Sequence, residues 1–167
     1  MYVLHIGAPK TGTTSLQHAL AAIAPDLVAQ GVDYRPTAAF QKGPVGQFIR
    51  GKAELSRADL AALKADAGEG RRLLISDEGC SGPLMNPAKM PWSRAAERAF
   101  RFTETVGSMP AKVIVTIRRQ DDFLLSCYTH RLRHGRVDTT FEDHWRRETD
   151  LGVMSWSSFI ESVAAVY

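Results

Sequence analysis

The sequence predicts an α/β fold in which a central parallel sheet is flanked by helices, three layers in all, on the strength of three observations. Short apolar runs that read as strands alternate along the chain with segments whose apolar residues recur at helical spacing. The run Lys112-Val113-Ile114-Val115-Thr116-Ile117 is β-branched and almost unbroken, which is the pattern of a central strand covered on both faces. The residues with the most chemistry stand directly after strands, where a parallel sheet gathers its ligands. With 167 residues, 44% of them hydrophobic and 23% charged, the chain suits a single domain spanning 1–167.

Taken in order, Tyr2 to Ile6 reads as a strand ending in Gly7, and from Thr14 the residues Leu16, Ala19, Leu20 and Ile23 mark one face of a helix. Residues 25–52 keep no steady period and contain Gly31, Pro36, Gly43, Pro44, Gly46 and Gly51, so a long loop with short elements at most is expected there. Ser56 and Asp59 form a capping-box-like start to a short helix carrying Leu60 and Leu63, and Arg72 to Ser76 is a second strand. Gly79 to Trp92 is a loop punctuated by Gly82, Pro83, Pro87 and Pro91, after which Ser93 opens a helix with Ala96, Ala99, Phe100, Thr103 and Val106 on one side. Beyond the β-branched run, Asp121 or Asp122 starts a helix that Gly135 ends. Two more helices are expected near Thr140 to Glu148 and, capped by Ser155, Trp156 to Val166, with Trp145, Trp156 and Phe159 as core. Helical periodicity runs to the last residues without a capping glycine, so the sequence reads as C-terminally truncated or a fragment, with a terminal docking helix as the alternative.

Composition narrows the function classes. No apolar run approaches the about 20 residues that cross a bilayer, and no basic and apolar leader precedes Tyr2, so neither a membrane span nor a secretory signal is read and the cytoplasm is the expected location. Cys80 and Cys127 lack metal or disulfide spacing and are expected as reduced thiols. The net charge of +3 is too mild to imply nucleic acid. Its distribution is uneven: residues 94–147 hold eleven Lys and Arg against seven Asp and Glu, which suits an anionic ligand.

The strongest local signal is Gly7-Ala8-Pro9-Lys10-Thr11-Gly12-Thr13-Thr14-Ser15, set between the first strand and the first helix. Its glycines permit close backbone approach, its N–H groups gather at a helix N-terminus, Lys10 supplies a cation, and hydroxyls follow to bond anionic oxygens, the makings of a phosphate cradle. It is P-loop-like, yet it differs from the G-x-x-x-x-G-K-[ST] loop of nucleotide hydrolases, because the lysine precedes the second glycine and Thr13 stands where that lysine would be.

At these residues the chain resembles the PAPS-dependent sulfotransferases, PAPS being 3′-phosphoadenosine 5′-phosphosulfate. Pro9 to Thr14 match the family's signature P-K-[ST]-G-T-T at every position, and Ser15, where the cytosolic branch usually has Trp, is closer to the carbohydrate and bacterial branches. The resemblance implies a P-loop-type three-layer fold, a 5′-phosphosulfate held by Pro9, Lys10, Thr11, Gly12, Thr13, Thr14 and Ser15, and contact of Lys10 with the bridging oxygen where charge develops as sulfuryl leaves. A second signature, an arginine at the end of a buried strand with a serine eight residues on, is met by Arg118 and Ser126, which the resemblance assigns to the 3′-phosphate. Arg119-Gln120 replaces the usual Asn-Pro and makes Arg119 a rival for that role.

Glu78 follows the second strand where the cytosolic branch has its catalytic histidine, so it is the expected base, with Asp77 as the fallback. The implied reaction moves a sulfuryl group from PAPS, with no metal, to a hydroxyl or amine of a small-molecule or saccharide acceptor. The family's C-terminal basic, glycine-rich segment has no match after Gly135. A PAPS-binding module without activity, and a small-molecule kinase or NTPase with a divergent loop, are the rival readings. His130 and His134, an i, i+4 pair, read as a solvated basic helix end rather than a metal site, and His5 as a satisfied strand residue.

Overall fold

A computed structural model describes residues 1–66, 70–81, 97, 100, 101, 103, 111–150 and 155–166. Its centre is a four-stranded, all-parallel sheet flanked by helices, the α/β architecture expected. Strand β1 (Tyr2–His5) lies between β3 (Arg72–Ser76) and β4 (Ala111–Ile114), and β2 (Val32–Arg35) pairs with the far side of β3. The register sets His5 opposite Ser76 on one side and Ile114 on the other. Because the chain leaves β1 toward β3 on one side and β4 on the other, a crevice opens beyond the carboxyl end of β1, the place where such sheets bind ligands.

Helix α1 (Thr13–Ala22) follows β1, and α2 (Ala24–Ala29), α3 (Thr37–Lys42), α4 (Pro44–Ile49) and α5 (Arg57–Asp66) are spread between β1 and β3. A 3-10 turn (Glu78–Ser81) closes β3. After β4 come α6 (Gln120–Arg133), α7 (Phe141–Asp150) and α8 (Trp156–Ala164). The capping box at α5 is reciprocal: Ser56 Oγ accepts from Asp59 N–H at 3.1 Å while Asp59 Oδ2 accepts from Ser56 N–H at 3.0 Å. Ser155 caps α8 by accepting from Ser158 N–H.

The core gathers Tyr2, Leu4 and Ile6 of the β1 segment, Leu73 and Ile75 of β3, Phe40, Phe48 and Leu63 from the helices before β3, and Phe123, Cys127, Trp156, Phe159 and Val163 from α6 and α8. Phe123 meets Trp156 edge-on, ring centroids 4.8 Å apart, and Trp156 Nε1–H donates to the carbonyl of Arg118 at 2.7 Å. That bond fastens α8 beneath the start of α6, so the core fixes where Arg118 stands.

Three expectations need adjusting, and a fourth lies mostly outside the described residues. The segment 25–52 holds only short elements, as expected, but three helices and β2 leave little loop between them, and the single buried residue of β2, Tyr34, leaves no alternation to read. The β-branched run is not central among the described residues, since β4 is the end strand of the sheet and Ile114 and Ile117 are about half exposed. Its ladder does run past the strand, with Ile6 N–H donating to Ile114 O and Ala8 N–H to Thr116 O. Trp145, expected as core, is half-buried, and Leu16 and Ile23 on the apolar face of the α1 segment are exposed. The predicted loop and helix between Gly79 and Val106 lie mostly outside the described residues, although Glu97, Phe100, Arg101 and Thr103 are helical.

Candidate functional site

The loop leaves β1 through a position that only glycine can fill: a Cβ on Gly7 would lie 2.0 Å from Thr116 Oγ1 and 2.8 Å from His5 Nε2. Thr11 then ties the turn inward, its hydroxyl donating to Ala8 O at 2.5 Å and lying 3.0 Å from Thr116 Oγ1. Lys10 has φ +68°, a left-handed backbone that costs a non-glycine residue about 1–2 kcal/mol and that sends its side chain over the crevice. Arg118 Nη1–H donates to the Lys10 carbonyl at 3.3 Å. Gly12, also left-handed at φ +89°, is the N-cap of α1. The N-cap contributes no side-chain bond and no acid stands in the first turn, so the carboxylate that meets this helix end is Glu78, from across the cleft.

A cleft of ≈ 460 Å³ opens here, lined by Pro9, Lys10, Gly12, Thr13 and Thr14 of the loop, by Glu78 and Gly79 after β3, and by Arg118, Ser126 and His130. A groove of ≈ 300 Å³ continues along α6 past Leu125, Thr129 and Arg133. Of the site residues read from the sequence, all but Thr11 and Ser15 line the cleft. Thr11 is turned into the loop's own bonds and Ser15 lies on the exposed side of α1.

Geometry places the two pairs of rival residues in different surroundings. Asp77 is fully buried, and both of its carboxylate oxygens accept from Arg50 Nη2 at 2.8 Å, with Gln41 Nε2 at 3.2 Å and Gly79 N–H at 2.9 Å on Oδ1. It is a structural anchor outside the cleft lining. Glu78 faces the cleft and accepts from the Thr13 hydroxyl, so Thr13 orients the carboxylate instead of presenting its hydroxyl to a ligand. Arg119 turns away to Asp121 at 2.6 Å with its side chain 73% exposed, whereas Arg118 lines the cleft.

His130 was missed. It does stand in the basic last turn of α6, as read, but its Nδ1 also lies 3.0 Å from Lys10 Nζ and its ring lines the cleft. The available signal was its place one turn beyond Ser126, on the same face of α6. His5 is satisfied as expected: Nδ1 is 2.8 Å from Ser76 Oγ and Nε2 3.2 Å from Thr116 Oγ1, and burial pushes its pKa below the ordinary value.

These features define a parallel α/β domain whose strand–loop–helix unit, strand-end carboxylate and loop-borne cations share one cleft. Compared with family models, curated proteins and solved structures, the chain matches none of them. No helix among the described residues is long and apolar enough to cross a membrane.

Proposed function

We propose that the chain is a PAPS-dependent sulfotransferase, moving a sulfuryl group to a hydroxyl or amine of a small-molecule or saccharide acceptor in the cytoplasm and releasing adenosine 3′,5′-bisphosphate. The observation that carries this reading is the convergence of Lys10, Glu78, Arg118 and Ser126, from four separate segments of sequence, on one cleft. Their chemistry suits the co-substrate. The loop and the α1 N-terminus offer N–H groups and an ammonium to one anionic end, and Arg118 with Ser126 offers a guanidinium fork and a hydroxyl to a second phosphate.

PAPS supplies the activated sulfuryl group; the protein supplies position and charge. Lys10 and the loop N–H groups stabilise negative charge growing on the leaving phosphate oxygen. The Glu78 carboxylate, oriented by Thr13, takes the proton of the acceptor hydroxyl or amine as that atom attacks. Arg118 and Ser126 select a nucleotide that carries a 3′-phosphate.

The test is a thermal shift with adenosine 3′,5′-bisphosphate against ATP, ADP and AMP, followed by turnover of PAPS over a panel of saccharide and phenol acceptors. Selective stabilisation by the bisphosphate and PAPS-dependent transfer are expected. Lys10→Ala is expected to abolish transfer in a folded protein. Preference for magnesium-ATP, or full transfer by Lys10→Ala, would contradict the reading.

A further inference from the structure

The proposed chemistry leaves His130 without a task, although the ring sits in the middle of the site. Its Nδ1 is 3.0 Å from Lys10 Nζ across 120 residues of chain. An ammonium has only donors to offer, so Nδ1 is the acceptor and carries no proton. The ring borders both the cleft and the groove that continues it, placing it where any anion held by Lys10 must pass or rest.

The charges around it are mostly positive. Lys10 and Arg118 face it from the two loops, and Arg133 and His134 from its own helix, the His134 ring centroid 4.5 Å away. Arg136 stands just past the helix end; Glu78 across the cleft and Asp122 at the start of α6 are the negative groups. Burial first, then Lys10, His134, Arg136 and Arg133, hold the imidazole below its usual pKa while the cleft is without an anion.

We propose that His130 is a further anion-binding residue of this site, and that an entering phosphate or sulfonate oxyanion is bound with uptake of one proton by its imidazole. The oxyanion replaces Nδ1 as acceptor for the Lys10 ammonium. The released ring takes a proton from solvent and donates Nδ1–H to the same anion. This rests on the reading of the cleft as a phosphosulfate site and adds a group and a pH dependence to it.

The sign follows from linkage. A dianion beside the ring raises its pKa from a starting point below 6.5, so affinity rises as pH falls through the window between the free and bound values, by up to about tenfold per pH unit. Above that window His130 stays neutral in both states and affinity is flat.

The test is calorimetric titration with adenosine 3′,5′-bisphosphate and, separately, inorganic pyrophosphate, from about pH 5.5 to 8, in buffers of different ionisation enthalpy. His130→Asn keeps an acceptor for Lys10 but does not titrate. Protonation of the ligand itself is common to both proteins and cancels in the difference. The wild type should take up more protons than His130→Asn with both ligands, and its affinity advantage should grow as pH falls. Equal proton uptake by the two proteins overturns the proposal. Extra uptake with pyrophosphate but no binding of the bisphosphate upholds His130 and overturns the nucleotide reading, and binding of neither ligand overturns both.

Discussion

The two walls of the cleft satisfy their charges in opposite ways. On the β3 wall the carboxylates are held by the protein: Asp77 is enclosed by Arg50, Gln41 and Gly79, and Glu78 accepts from Thr13. On the α6 wall Lys10, Arg118 and Arg133 stand with His130 around the groove, and the acid among the described lining residues there, Asp122, is shared with Arg119 at 3.6 Å. One wall holds its carboxylates in bonds within the protein; along the other the described lining residues carry more cationic than acidic side chains. Adjacent residues in sequence therefore stand in different surroundings, Asp77 enclosed by the protein and Glu78 lining the cleft.

The largest effect should come from the enclosed wall. Asp77→Ala leaves the Arg50 guanidinium, only 17% exposed, without its carboxylate, and should cost about 3–5 kcal/mol in urea denaturation. A loss smaller than about 1 kcal/mol would show that this pair does not hold the wall. Next is Glu78→Gln, which keeps the shape and the bond from Thr13 but cannot accept a proton. Turnover should fall by ~10²-fold with stability and PAPS affinity unchanged. Loss of stability instead would move Glu78 to the structural side of the comparison.

Acid should weaken the fold beneath the cationic wall. His144, 1% exposed, has its pKa pushed down to about 4 by burial and then by Arg131 and Arg147. Its folded value lies below the unfolded value near 6.5, so its contribution is whole above pH 6.5 and is lost as pH falls toward 4. Thermal melts from pH 7.5 to 4 should show this fall, and His144→Phe should shrink it, with His5 contributing a remainder of the same sign. A midpoint that rises on acidification would contradict the account.

Much of this was legible before any coordinates. The strand, tight loop and helix around Gly7 to Ser15 could be read because glycines and hydroxyls cluster between two periodic segments, and β3 and the Ser56 and Ser155 caps because their signals are local. What escaped depends on distant chain. Strand β2 has four residues between Gly31 and Pro36 and gains its pairing only from β3. The place of β4 at the end of the described sheet is a matter of strand order, which a β-branched run does not encode. His130 was obscured by His134 and the arginines beside it, and its meaning lies in a contact with Lys10 far away in sequence. That Arg50 encloses Asp77 could not be read from the sequence, since 27 residues separate the pair.

The central claim, that the cationic wall reads a second phosphate, is tested most directly by titrating adenosine 3′,5′-bisphosphate and AMP into the wild type, Arg118→Ala and Arg119→Ala. Arg118→Ala should lose about 1.5–3 kcal/mol of affinity for the bisphosphate and little for AMP. Arg119→Ala, whose side chain pairs with Asp121 in solvent, should bind both ligands as the wild type does. Equal losses for the two nucleotides in Arg118→Ala, or a selective loss in Arg119→Ala, would contradict the assignment of the 3′-phosphate to this wall.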